Sequence, residues 1–294
     1  MPNNISAEEL KQKQEDRKAK VKKVLDIVSQ GIDNLFNSVS YKKYLSVMSH
    51  FFNYSANNII LIALQRPTST ALAGYNSWTQ KFSRQVRAGE KGIAILAPCL
   101  DNETNGMTYR IVYVFDIDQT EGEMIPEIVL QHQELTVPHR SSALFNSVRE
   151  ILDIPTLSVS QIKTGEKGIY SERDKAIMIK QGLSEQDRAK AIIRNYVFYR
   201  IAQSNFTREE QELIADSITY IICEKYKLDL AEFSFSYIAA WQNKDRTEKE
   251  NVLSAIQTLA SEFFDELEKC YLEQIEMLKD ENSIEAMVAN EFTL

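Results

Sequence analysis

Gln85-Val86-Arg87-Ala88-Gly89-Glu90-Lys91-Gly92-Ile93-Ala94-Ile95-Leu96-Ala97-Pro98 is the stretch on which the reading of this 294-residue chain turns. Gly89 to Gly92 has the composition of a tight turn, and the apolar run Ile93 to Ala97 behind it reads as a strand. Asp101 to Gly106 is a polar loop. Met107 to Phe115 returns as a second strand, so the two make a hairpin. Upstream the period changes to that of helices. Residues 6–38 carry Val21, Val24, Leu25, Ile27, Val28, Ile32 and Leu35 largely on one face. Further helices are expected over Tyr41 to Phe52 and over Ala56 to Leu64, the latter capped by Asn53-Tyr54-Ser55 and ended by Pro67. A turn at Ala73 to Asn76 precedes a short helix over Ser77 to Val86.

Downstream, Asp116 to Glu127 is a polar exit, and Pro138 marks a linker around Leu135 to Arg140. This divides the chain into residues 1–135 and 136–294. Beyond it come a helix from Ser141 to Leu152 and a second hairpin, Gly168 to Tyr170 with Ala176 to Ile179. Helices follow over Ser184 to Gln203, Thr207 to Lys225 and Glu248 to Lys279, with Thr207 and Glu210 placed as a capping box. The fold class is α+β: N-terminal helices with a small antiparallel sheet, then a helical domain with a β-hairpin.

Charge is distributed unevenly. The chain holds 34 Lys and Arg against 42 Asp and Glu, a net −8. Residues 1–100 carry 14 basic and 7 acidic side chains; residues 101–294 carry 20 and 35. Within 38–98 the single acid is Glu90, against seven basic residues. A polyanion is therefore attracted by the N-terminal half alone. A hydrophobic fraction of 44% supports real cores and excludes wholesale disorder. No apolar run approaches a membrane span, so no membrane partner is expected. Residues 1–23 are polar and lysine-rich with no signal-peptide character. Cys99, Cys223 and Cys270 are odd in number and lack metal spacing, which suits a reducing, cytoplasmic setting.

The residues from Phe52 to Lys91 interleave amides, rings and cations: Asn53, Tyr54, Asn57, Asn58, Gln65, Arg66, Tyr75, Trp78, Lys81, Arg84, Gln85, Arg87 and Lys91. Bases of a flexible strand stack on rings while phosphates meet Lys and Arg, so the pattern suits single-stranded nucleic acid. It has neither zinc spacing nor a helix-turn-helix for duplex reading. Each residue also has a structural reading: Trp78 as core, the asparagines as caps, the lysines as solvated surface. If a helix runs through Arg84, Lys81 and Arg84 share a face. No Gly-x-Ser-x-Gly, P-loop or Gly-x-Gly-x-x-Gly pattern occurs.

The stretch from Phe52-Asn53-Tyr54-Ser55 through Ala73-Gly74-Tyr75 and Trp78 to the Val86-Arg87-Ala88-Gly89-Glu90-Lys91-Gly92 turn resembles the N-terminal domain of ArdC-type antirestriction proteins. Val114 to Thr120 is similar to the same domain. The resemblance covers about residues 20–125 and implies binding of single-stranded DNA on behalf of a mobile genetic element. The second half resembles the zincin-like metallopeptidase domain of that family, in which a strand hairpin precedes His-Glu-x-x-His. Here Arg194 stands at the first His, Asn195 at the general-base Glu and Phe198 at the second His. Glu212 or Asp216 lies where a further ligand is expected. A guanidinium and a phenyl ring cannot ligate zinc, and an amide is no base. The resemblance thus implies an inactive peptidase-like domain, no catalytic residue, no metal and no cofactor. Arg194 is expected to pair with Glu212 or Asp216 in place of the ion. An alternative role is a protein-interaction module, its peptidase-like domain or its acidic surface engaging a host or mobile-element protein.

Overall fold

The computed structural model describes residues 7–101, 106–125 and 137–291. They group into two compact units: Met1–Ile125 with Phe235–Asn251, and Pro126–Ser234 with Val252–Leu294. The expected division at 135 falls among residues outside the described ones. A single cut also cannot express that 235–251 return to the first unit. Among the described residues no helix is long and apolar enough to cross a membrane.

The first unit opens with α1 (Ala7–Leu35), α2 (Ser38–Met48) and α3 (Ala56–Gln65). The helix expected over 6–38 stops at Leu35 because Asn37 turns extended and its side chain accepts from the Ser40 N–H, starting α2. Ser55 caps α3 in the same way, accepting from the Asn58 N–H. Then come β1 (Leu72–Gly74), α4 (Tyr75–Phe82), β2 (Arg84–Val86), β3 (Ile93–Leu100), β4 (Met107–Asp116), a 3-10 turn (Ile117–Gln119) and β5 (Thr120–Gly122). The sheet order is β1-β4-β3, antiparallel throughout, with Ile93 opposite Val114 and Leu100 opposite Met107.

The helix expected over 77–86 is corrected. Ser83 takes a left-handed conformation that ends α4, and Arg84–Val86 pair instead with Thr120–Gly122. Residues 235–251, expected within 136–294, group with the first unit. Trp241 stacks on Phe36 with centroids 5.8 Å apart, and Phe235 meets Tyr41 edge-on at 5.3 Å. They close the aromatic core of the first unit.

The second unit contains α5 (Val137–Ile151), β6 (Thr156–Val159), β7 (Gly168–Ser171), β8 (Ala176–Lys180), α6 (Glu185–Ile201) and α7 (Arg208–Lys225). It also takes α8 (Arg246–Glu291) from Val252 onward. The hairpin β7–β8 is as read from sequence; β6 adds a parallel strand beside β8. α6 is buried around most of its circumference and packs on α5, α7, β7 and β8. β7 crosses it closely at Gly168, where a Cβ would meet the Asn195 side-chain amide and the Ile179 side chain at 2.9 Å. Val252, Ile256, Ala260, Phe263 and Leu267 give α8 its buried stripe.

Candidate nucleic-acid interface and the charged helix pair

In the first unit the residues read as one interface separate into two groups. Trp78 is core: it is 1% exposed, its indole N–H donates to the Phe115 carbonyl at 2.9 Å, and its ring leans on Phe82. It cannot stack a base, because α4 lies with that side against the sheet. Asn58 and Gln65 are also structural. β4 covers one edge of β3, leaving the N–H and C=O groups of Ala94 and Leu96 on the other. The Asn58 amide donates to the Leu96 carbonyl at 3.0 Å and accepts from its N–H at 2.9 Å. Gln65 does the same to Ala94, both at 2.9 Å. Seven residues apart on α3, the two amides imitate a neighbouring strand and close the edge.

Arg84 and Arg87 are anchored to the frame of the unit. The Arg84 guanidinium bonds the Thr120 hydroxyl at 2.7 Å, the Thr120 and Gly122 carbonyls at 3.2 Å, and the Glu123 carbonyl. Arg87 bonds the Thr120 carbonyl at 3.2 Å, the Asp118 carbonyl and Glu90 at 2.7 Å. Most donors of both forks are thus spent on carbonyls of the β5 region. Arg84 lies on β2, so it shares no helix face with Lys81. Glu90 takes hydrogen bonds from Gln119 and Arg87, which hold its carboxyl below the ordinary glutamate range. Asp116, fully buried, accepts from the N–H groups of Thr70, Ala71 and Asp118. The 87–91 turn and the 114–120 segment are therefore one hydrogen-bonded frame.

What remains outward is Asn53, Asn57, Tyr75, Lys81, Gln85 and Lys91, with Tyr54 and Arg66 half-buried. Tyr54 meets Phe51 edge-on, and burial raises its phenol pKa. Tyr75 is 58% exposed. Sequence reading missed Tyr109 and Tyr113 on β4, 47% and 60% exposed. The signal was present: Met107, Tyr109, Ile111, Tyr113 and Phe115 alternate along one strand face.

In the second unit, Arg194 of α6 bonds Asp216 of α7 at 2.7 Å, contacts Glu212 of the same helix, and lies 3.6 Å from Glu166. Its side chain is 25% exposed. Burial acts against the charged guanidinium, but Asp216, Glu212 and Glu166 outweigh it and raise the Arg194 pKa. Phe198 lies one turn on, and the guanidinium groups of Arg194 and Arg208 each stand over its ring, 4.8 Å from the centroid. Asn195 is buried and donates to the Ala191 carbonyl of its own helix. Tyr196 points elsewhere, stacking on Phe263 and donating to Glu266. Arg194, Phe198, Glu166, Tyr170 and Arg208 line a cleft of about 100 Å3. This donor set does not fit a divalent cation, because two guanidinium groups already face the carboxylates.

No protein-family model matches the chain. The uncharacterized protein pXO2-81 of Bacillus anthracis is 22% identical, with 87% of this chain and 52% of the relative covered. The chain thus spans about half the length of that curated relative. Among solved structures, the antirestriction protein ArdC from plasmid R388 in its Mn(II)-bound form is 17% identical, with a TM-score of 0.56. That comparison covers 83% of this chain and 98% of ArdC. The metal-free form of the same protein gives 16% identity and a TM-score of 0.47, over 75% and 86%. The chain shares the ArdC fold.

Proposed function

We propose that this chain, built on the ArdC fold, is an antirestriction-like protein of a mobile genetic element that binds single-stranded DNA in the cytoplasm through its first unit. The observation that carries the reading is electrostatic. Glu90 is the one acid of residues 38–98 and is held by Arg87 and Gln119, while the exposed side chains there include Lys43, Lys81, Arg87, Lys91, several amides and Tyr75. Cations beside exposed rings suit phosphate and unpaired bases together.

The second unit is a zincin-like frame without peptidase activity. The resemblance puts Arg194, Asn195 and Phe198 where relatives carry His-Glu-x-x-His, and here Arg194 supplies the positive charge between Asp216 and Glu212. No proton-abstracting group stands at Asn195, whose amide is committed to Ala191.

Titration of the full chain with a single-stranded oligonucleotide and its duplex, across salt concentrations, tests the reading. Tighter single-strand binding is expected. With about four phosphates neutralised, log K falls with log salt at a slope near −2.8, from about 0.7 per phosphate. Equal affinity for blunt duplex, or no salt dependence, overturns it.

A further inference from the structure

We propose that the DNA track is the open face of β4, formed by Tyr109, Tyr113 and Phe115 with Tyr75, and that it runs into a basic groove beside α1. This rests on the single-strand reading above and gives it a place. Residues 109, 113 and 115 share one face, because alternate residues of a strand do, and Tyr109 to Phe115 spans about 20 Å at 3.4 Å per residue. Tyr75 continues the row, edge-on to Phe115 at 6.0 Å. Gly92 lies beneath it: a Cβ there would meet the Tyr113 Cβ at 2.9 Å and the tip of Phe115 at 3.0 Å. Lys91, the residue before Gly92, is exposed.

Large aromatic side chains on the solvent face of a sheet are the informative kind of exposure, since packing does not account for them. The occupant follows from charge. Tyr109 also lines a groove of about 240 Å3 with Leu100, Leu25, Arg17, Lys18 and Lys22. Among the described lining residues Asp101 is the one acid against those three cations. From Arg17 to Lys23, α1 carries five basic residues and no acid. Rings in a row, followed by a cationic apolar groove, fit unpaired bases and then backbone phosphates. A duplex, with its bases stacked inside, gains nothing from the rings.

The test uses the full chain and fluorescein-labelled oligo-dT. Tyr113→Ala and Tyr109→Ala are each expected to weaken binding roughly 5- to 150-fold, with the salt slope unchanged. Tyr113→Phe keeps the ring and binds as the parent does. Arg17→Gln with Lys22→Gln flattens the slope by about 1.4, at about 0.7 for each phosphate no longer neutralised. As a readout independent of variant folding, 5-iodouracil photocrosslinks map to Tyr109 or Tyr113 in the unmodified protein. If the parent binds oligo-dT while these variants bind equally and crosslinks map elsewhere, the track is wrong and the single-strand reading survives. If the parent does not bind at all, both fall.

Discussion

Arg194 carries the strongest single-residue argument. Its guanidinium lies between Asp216 and Glu212 with a quarter of the side chain exposed. Its removal leaves the two acids without their shared cation. A buried pair broken on one side costs about 3–5 kcal/mol and an exposed one up to about 1, so Arg194→Ala in this half-buried setting should cost about 2 kcal/mol. At about 2–4 °C per kcal/mol for a unit of this size, thermal unfolding followed by circular dichroism should drop by roughly 4–8 °C. Arg194→Lys should recover part of the loss, since an ammonium cannot serve both acids with a planar fork. DNA affinity should not change, since the proposed site is in the first unit. A drop under about 1 °C would mean that the cluster is a solvated surface pair.

At the scale of elements, the contact of α3 with the edge of β3 makes the two amides unequal. Asn58 is 8% exposed and satisfies both backbone groups of Leu96, whereas Gln65 is exposed. Water can replace an exposed partner but not a buried one, and each buried group left unpaired costs about 1–3 kcal/mol. Asn58→Ala is therefore expected to destabilise the first unit by about 2–4 kcal/mol, and Gln65→Ala by less than about 1. Both tryptophans, Trp78 and Trp241, lie in that unit, so urea denaturation followed by tryptophan fluorescence reads it directly. Equal losses for the two variants would show that the amides do not act through burial.

For the molecule as a whole, the opposed charges of the two sequence halves meet different chemistry. The basic half is read as a polyanion binder; in the acidic half, Arg194, Arg208 and Phe198 occupy the cleft by Glu212. Stability should consequently be indifferent to divalent metal. An ion bound to the folded state at a hundredfold its Kd would add about 2.7 kcal/mol, a rise in Tm of roughly 5–11 °C. Melting curves in chelator and in excess Mn(II) are expected to superimpose; a rise of that size would show that a metal site exists.

The sequence by itself determined what depends on neighbours along the chain. Helix starts at Ser55, Ser184 and Thr207 with Glu210, and the hairpins 93–116 and 168–180, follow from caps, turns and periodicity spanning a few residues. The pairing of Arg194 with Asp216 or Glu212 was expected from the resemblance, which put a cation in place of the metal between acids at ligand positions; the structure brings it to both. Tertiary structure alone decided which face of each element is covered. Trp78 went inward because its indole meets the Phe115 carbonyl, 37 residues away. Arg84 became a strand residue because its partner Thr120 is 36 residues on. Asn58 became an edge clamp on Leu96, 38 residues ahead. Tyr109 and Tyr113, both exposed on β4, were left in water. Residue type and spacing set what a side chain can bond, but which partner reaches it depends on the packing of distant segments.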